Sequence, residues 1–226
     1  MFAGMRSRIG WFITVWLAFG GGTVVAAEAK APSVGAASRP ALVVLGDSLA
    51  AGHGVEPTEA FPAQLQRKID AAGLAFEVVN AGVSGDTTAG GLRRMSWLLK
   101  RPIDVLLVEL GGNDGLRGVP PAATRSNLVA IIDIARAKAP GVLVILAGMQ
   151  MPPNMGLDYV REYREIFPAV AREKGVPLIP HLLEGVGGRP ELNQPDQIHP
   201  TPAGHEILAD NVWKVVRPLL EQRARK

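Results

Sequence analysis

Ser48, Asp196 and His199 are the residues of this chain whose types and spacing could do chemistry. A serine hydroxyl is a weak nucleophile until a base takes its proton, a third group orients that base, and donors receive the oxyanion formed on the attacked carbonyl. Ser48 lies in Gly46-Asp47-Ser48-Leu49, directly after the apolar run Ala41 to Leu45. Asp196 and His199 stand three residues apart in Asp196-Gln197-Ile198-His199, just before a helix start at Thr201 and Pro202. That spacing can set the carboxylate on one imidazole nitrogen and fix the tautomer, leaving the other nitrogen to take the serine proton. Gly82 and Gly111-Gly112-Asn113-Asp114 are candidate donors to the oxyanion.

These residues need elements that carry them to one place. Short apolar runs alternate with helix-length amphipathic segments from Ala41 onward, which is the pattern of βα units and a largely parallel sheet. Strands are predicted at Ala41 to Leu45, Phe76 to Asn80, Val105 to Leu110, Val142 to Ala147 and near Pro177 to Ile179. Helical stripes follow as Leu65 and Ile69; Leu92, Met95 and Leu99; Leu128, Ile131, Ile132 and Ala135; Tyr159, Tyr163, Ile166, Phe167 and Val170; and Ile207, Leu208, Val212 and Val215. Pro168 predicts a kink in the fourth of these helices, and Thr201 is the expected N-cap of the last. The expected fold is a three-layer α/β/α domain around a five-stranded, mainly parallel sheet. Reactive groups in such sheets collect at the carboxyl ends of the strands. Ser48, Gly82 and Asn113 follow the first three strands and fall on that rim.

The ends of the chain set the remaining boundaries. Residues 1–27 read as a secretory signal: Arg6 and Arg8 precede the apolar run Trp11 to Phe19, and Val25-Ala26-Ala27 offers a cleavage site. Residues 28–40 read as a linker, 41–222 as the domain and 223–226 as a solvated basic tail. A periplasmic or secreted protein is expected, with no stable membrane insertion once the signal is cleaved. Two of the 24 Lys and Arg lie in the signal, so the mature chain is nearly neutral against 21 acids, and no basic stripe points to nucleic acid. The chain has no cysteine, which excludes disulfides, thiolate nucleophiles and cysteine metal sites.

In this order the blocks Val44-Leu45-Gly46-Asp47-Ser48-Leu49, Asn80-Ala81-Gly82-Val83-Ser84-Gly85-Asp86, Leu110-Gly111-Gly112-Asn113-Asp114, Met151-Pro152-Pro153-Asn154 and Asp196-Gln197-Ile198-His199-Pro200 resemble the SGNH, or GDSL, hydrolase family. The likeness is to its secreted bacterial thioesterase I, lysophospholipase and arylesterase group, and runs from about Ala41 to Leu220. The resemblance implies a flavodoxin-like SGNH hydrolase fold, with Ser48 as nucleophile, His199 as base and then acid, and Asp196 as its orienting partner. It also implies an oxyanion hole from the backbone N–H groups of Ser48 and Gly82 and the side-chain amide of Asn113. No cofactor or metal is implied. The substrate would be a small-molecule or lipid ester or an acyl thioester, lying along Met149, Met151, Pro152, Met155 and Leu157. Met155-Gly156 and His53 depart from residues common in the family, which bears on acyl or leaving-group preference.

Each of these residues also has a plainer role open to it. Ser48 could cap a helix, Asp196 and His199 could cap the last one, and Gly82 and Asn113 could be turn residues. Met149 could equally be core filling. Asp47, Asp86 and Asp114 are expected to hold the active loops by local hydrogen bonds, and Ser84 to serve its loop. His53, His181 and His205 are expected at a pocket edge, at the surface and in a helix, with no metal-binding spacing among them. The rivals to the esterase reading are a carbohydrate O-acetyl esterase on the same scaffold and a non-catalytic binding module of the cell envelope.

Overall fold

Strand β1 (Ala41–Gly46) is buried along its whole length, as the centre of a parallel sheet covered on both faces requires. In the computed structural model, which describes residues 39–225, it pairs on one side with β2 (Glu77–Gly82) and on the other with β3 (Val105–Glu109), followed by β4 (Leu143–Ala147) and the two-residue β5 (Leu178–Ile179). The sheet order is β2-β1-β3-β4-β5 and every pairing is parallel. β2, at an edge, is only partly covered, whereas every residue of β3 is buried. The expected signal over 1–27 and all but the last two residues of the linker over 28–40 lie outside the described residues.

The register determines what the sheet presents at its carboxyl edge. Gly46 is the partner of Gly82 on one side and of Glu109 on the other. The first three strands therefore end level, and the segments after them begin on one rim. The helices are α1 (Ser48–Ala51), α2 (Phe61–Ala71), α3 (Thr88–Leu98), α4 (Gly112–Leu116), α5 (Pro121–Lys138), α6 (Leu157–Lys174) and α7 (Pro202–Ala224). α2 packs against α7, while α3, α5 and α6 pack in succession. The order of strands reverses direction after β2, and right-handed crossovers then put these two groups on opposite faces. Among the described residues no helix is long and apolar enough to cross a membrane.

The predicted helical stripes need small rotations. In α3 the buried face runs through Thr88, Gly91, Met95 and Leu98, with Leu92 and Leu99 only partly covered, because a Cβ on Gly91 would fall on the Leu110 side chain and the helix lies that close to β3. In α7 the buried stripe is His205, Leu208, Ala209, Val212, Val216 and Leu220, so Ile207 and Val215 lie at its margin. α7 also continues to Ala224, and Arg223, read as part of a solvated tail, donates to the Gly141 carbonyl at 2.7 Å. α6 runs without a break through Pro168.

His205 is the polar group that this packing strains. Its ring is wholly buried between α7 and α2, Nδ1 accepts the Phe61 N–H at 3.3 Å, and Nε2 has no partner among the described residues. Burial pushes its pKa down to about 4. Between pH 6.5 and 4 the unfolded chain therefore takes up a proton that the folded one refuses, and stability is lost as pH falls through that window. Replacing the imidazole with an amide that can still accept from Phe61 removes this linkage. Denaturant unfolding of wild type and His205→Asn is expected to show the variant gaining on wild type by up to roughly 3 kcal/mol between pH 7 and pH 4. A difference independent of pH would remove His205 as the cause.

Candidate active site

The chain turns out of β1 at Gly46 and Asp47 and enters α1 at Ser48. Asp47 caps that helix, its Oδ1 accepting the Leu49 N–H at 3.0 Å, and the Ser48 side chain is carried to the rim of the sheet. His199 Nε2 stands 2.9 Å from Ser48 Oγ, and His199 Nδ1 stands 2.6 Å from Asp196 Oδ2. With the carboxylate on Nδ1, that nitrogen carries the proton and Nε2 is left as the acceptor for the serine hydroxyl. A hydroxyl, an imidazole and a carboxylate are thus joined in series across 151 residues of sequence.

The loop bearing Asp196 and His199 is built to hold that line. Asp196 Oδ1 accepts the N–H groups of Ile198 at 2.9 Å and His199 at 3.0 Å. These bonds and the imidazole hold the Asp196 carboxyl down at about 2, with the His199 backbone N–H the largest influence. It is therefore held as an anion against the ring. Gln197, between them, adopts φ 59°, a left-handed conformation that costs a non-glycine residue energy and is maintained by the surrounding bonds. The Gln194 side chain donates to the carbonyls of His53 at 2.7 Å and Pro200 at 3.0 Å, which ties the loop to the segment after α1. His53 lies beside the His199 imidazole, the two ring centroids 4.5 Å apart.

The expected oxyanion donors are in different states. The Ser48 N–H has no acceptor among the described residues. The Gly82 N–H donates to Asn80 Oδ1 at 2.9 Å, and Asn113 Nδ2 donates to Asp47 Oδ2 at 3.1 Å and to the Asp86 carbonyl at 2.9 Å. Two of the three are held by internal acceptors that a substrate oxygen would have to replace. Glycine at 82 also has a packing reason. A Cβ there would fall on the Ala51 amide and lie 2.8 Å from the Ala50 carbonyl carbon, so β2 and α1 could not pack.

Below the rim the aspartates hold loops together. Asp86 pairs with Arg94 at 2.7 Å, and Arg94 also donates to the carbonyls of Ala81 and Gly46, joining the ends of β2 and β1. Asp114 accepts from the Thr88 N–H at 2.8 Å and its hydroxyl at 2.5 Å, joining α4 to α3. Asp47 is buried, which pushes its carboxyl up to about 6 against the pull of the Leu49 N–H and Asn113.

The residues expected to line an acyl path divide. Met149 and Met151 are buried in the core: the chain leaves β4 inward at Gly148, packed tightly on the Pro180 carbonyl, and the Met151 sulfur fills the space above Gly115. Met155 is half-buried, and Pro152 and Leu157 are exposed. The other apolar side chains at this end of the sheet are Val83, Leu116 and Ile198, all substantially exposed, on the segments that follow β2, form α4 and adjoin His199. Sequence reasoning gave none of these three a place along the acyl path, since exposure has no periodic signature in a loop.

Residues 44–207 match the GDSL-like lipase/acylhydrolase family. Esterase TesA of Pseudomonas aeruginosa is 43% identical over 185 residues, covering 81% of this chain and 91% of that protein. Thioesterase 1/protease 1/lysophospholipase L1 of Escherichia coli K12 is 39% identical over 186 residues, covering 82% and 87%. The crystal structure of TesA superposes with a TM-score of 0.76 at 42% identity, covering 79% of this chain and 99% of that one.

The packing of Gly82 yields a direct check. Gly82→Ala should force β2 from α1 at a cost of about 1–3 kcal/mol, lowering Tm by roughly 3–10 °C, and should disturb the helix that begins at Ser48. Thermal unfolding measures the first effect. An unchanged Tm would mean that the contact yields freely.

Proposed function

The chain belongs to the GDSL-like lipase/acylhydrolase family, and on that footing we propose that it is a serine esterase hydrolysing carboxylic esters and acyl thioesters through an acyl-enzyme on Ser48. It is a hydrolase of ester bonds. The observation that carries the mechanism is the unbroken line from Ser48 Oγ through both nitrogens of His199 to Asp196.

Ser48 Oγ attacks the substrate carbonyl carbon as His199 Nε2 takes its proton. The imidazolium is stabilised by the Asp196 carboxylate, which the His199 and Ile198 amides hold in place. The free Ser48 N–H is the first donor to the developing oxyanion. Asn113 Nδ2 and the Gly82 N–H join it when the substrate oxygen displaces Asp86 or Asp47 from the one and Asn80 from the other. The tetrahedral adduct collapses, the alcohol or thiol leaves with the proton from His199, and water repeats the sequence on the acyl-enzyme. Acyl groups are received by the exposed apolar residues of the rim, Val83, Leu116, Leu157 and Ile198, with Pro152 and Met155 beside them. The sequence of residues 1–27 supports a periplasmic or secreted location.

A substrate panel on the mature chain, with aryl esters, palmitoyl-CoA, a lysophospholipid and an acetylated sugar, tests the assignment. Turnover of the first three is expected, and loss of all of it in Ser48→Ala; clear preference for the acetylated sugar would overturn the substrate class. Asn113→Ala should lower kcat by roughly 100- to 1000-fold if its amide meets the oxyanion, and an unchanged kcat would remove it from that role. The rate should fall on acidification as His199 takes a proton and can no longer accept one from Ser48. A profile flat from pH 8 to pH 4 would argue against a histidine base.

A further inference from the structure

We propose that Glu109 is a positioning residue for Ser48, an uncharged acceptor that fixes the turn on which the nucleophile is carried; the inference rests on Ser48 being that nucleophile. Glu109 is the last residue of β3 and the register partner of Gly46. Its side chain is wholly buried, and a single oxygen, Oε2, accepts the N–H groups of Asp47 and Ala50, both at 3.2 Å. Those two amides lie on either side of Ser48. A Cβ on Gly46 would fall on that same oxygen, so the glycine before the nucleophile makes room for this carboxyl.

The amides of the turn are shared out completely. α1 has four residues, far too few to hold itself by helical bonds, and the first amides of any helix lack partners within it. Glu109 takes those of Asp47 and Ala50, and Asp47 takes that of Leu49. The Ser48 N–H alone is left over, which is what an oxyanion donor requires. Without Glu109 two buried amides would be orphaned, and the turn could satisfy them only by moving, carrying Ser48 away from His199.

The same surroundings explain the absence of charge. Among the described residues no cation pairs with Glu109; Arg94, the nearest, has its nitrogens on Asp86 and on the carbonyls of Ala81 and Gly46. Oε1 has no partner. The groups facing the carboxyl are Asp47 on the turn and Arg94 on α3, with His199 beyond Ser48. A buried carboxyl beside a second carboxyl and without its own cation keeps its proton, and both burial and Asp47 drive its pKa well up.

Glu109→Leu and Glu109→Gln, assayed with an aryl ester and with rates normalised to folded protein, test this. Leu cannot accept either amide, and its kcat should fall about 100-fold with KM within about twofold, the loss produced by small misplacement of a reacting group. Gln keeps an acceptor oxygen and no charge, so it should restore kcat to within about fivefold of wild type with the acid limb of kcat/KM in place. Three results would overturn the proposal: Leu turning over like wild type per folded molecule, Gln as slow as Leu, or an acid limb in Gln displaced by more than about half a pH unit, the mark of a lost anion near His199. If the Leu variant does not fold, the rate and acid limb of Gln decide alone. Absence of turnover in wild type would instead defeat the reading of Ser48 and leave Glu109 out of the question.

Discussion

The chain has to leave the middle of a buried sheet in two residues, Gly46 and Asp47, and the amides of that turn, the Ser48 N–H apart, must find partners without water. The solution is a knot of side chains from neighbouring elements. Glu109 comes from the end of β3, Asn113 from α4 and Arg94 from α3, while Asp47 joins from the turn itself. They reach the turn from the connections after β2 and after β3, so the ends of β1, β2 and β3 are fastened to one another. The level register of these strands makes this possible, since Gly46, Gly82 and Glu109 finish side by side.

The second half of the site is held by different means. Asp196 and His199 have no strand beneath them and depend on their own loop, where Asp196 serves two backbone amides and an imidazole at once. Gln194 ties this loop to the segment beyond α1, and Gly54, with φ +76° and no Cβ, leaves space for that amide. The left-handed backbone at Gln197 is the local cost of bringing carboxylate and ring together within four residues. A half fastened to the sheet bears the serine, and a half tethered by its own loop bears the imidazole.

Much of this was legible in the residues. β-strands buried on both faces read as continuous apolar runs, which is why Ala41 to Leu45 and Val105 to Leu110 stood out and why the rim could be located from three consecutive strand ends. The imidazole and carboxylate were legible because they are close in sequence. What was not legible is long in range. Glu109 meets the turn 62 and 59 residues away, Gln194 meets His53 across 141, and a single glutamate after an apolar strand gives no sign of facing inward. The burial of Met149 and Met151 was not legible for a related reason: whether a residue just past a strand points out or in depends on Gly148 and Gly115 being small enough to draw the chain inward.

The hydroxyl and its base come from opposite ends of the folded domain's sequence, separated by 151 positions. A ribosome makes the serine long before the imidazole, and the loop that supplies the imidazole is anchored by α7, the final helix. Until that helix has docked, the nascent polypeptide holds the Ser48 hydroxyl without its imidazole partner. On the roles proposed for Ser48 and His199, chemical competence is deferred to the end of synthesis, and a truncated product ending before residue 199 would be inert toward esters.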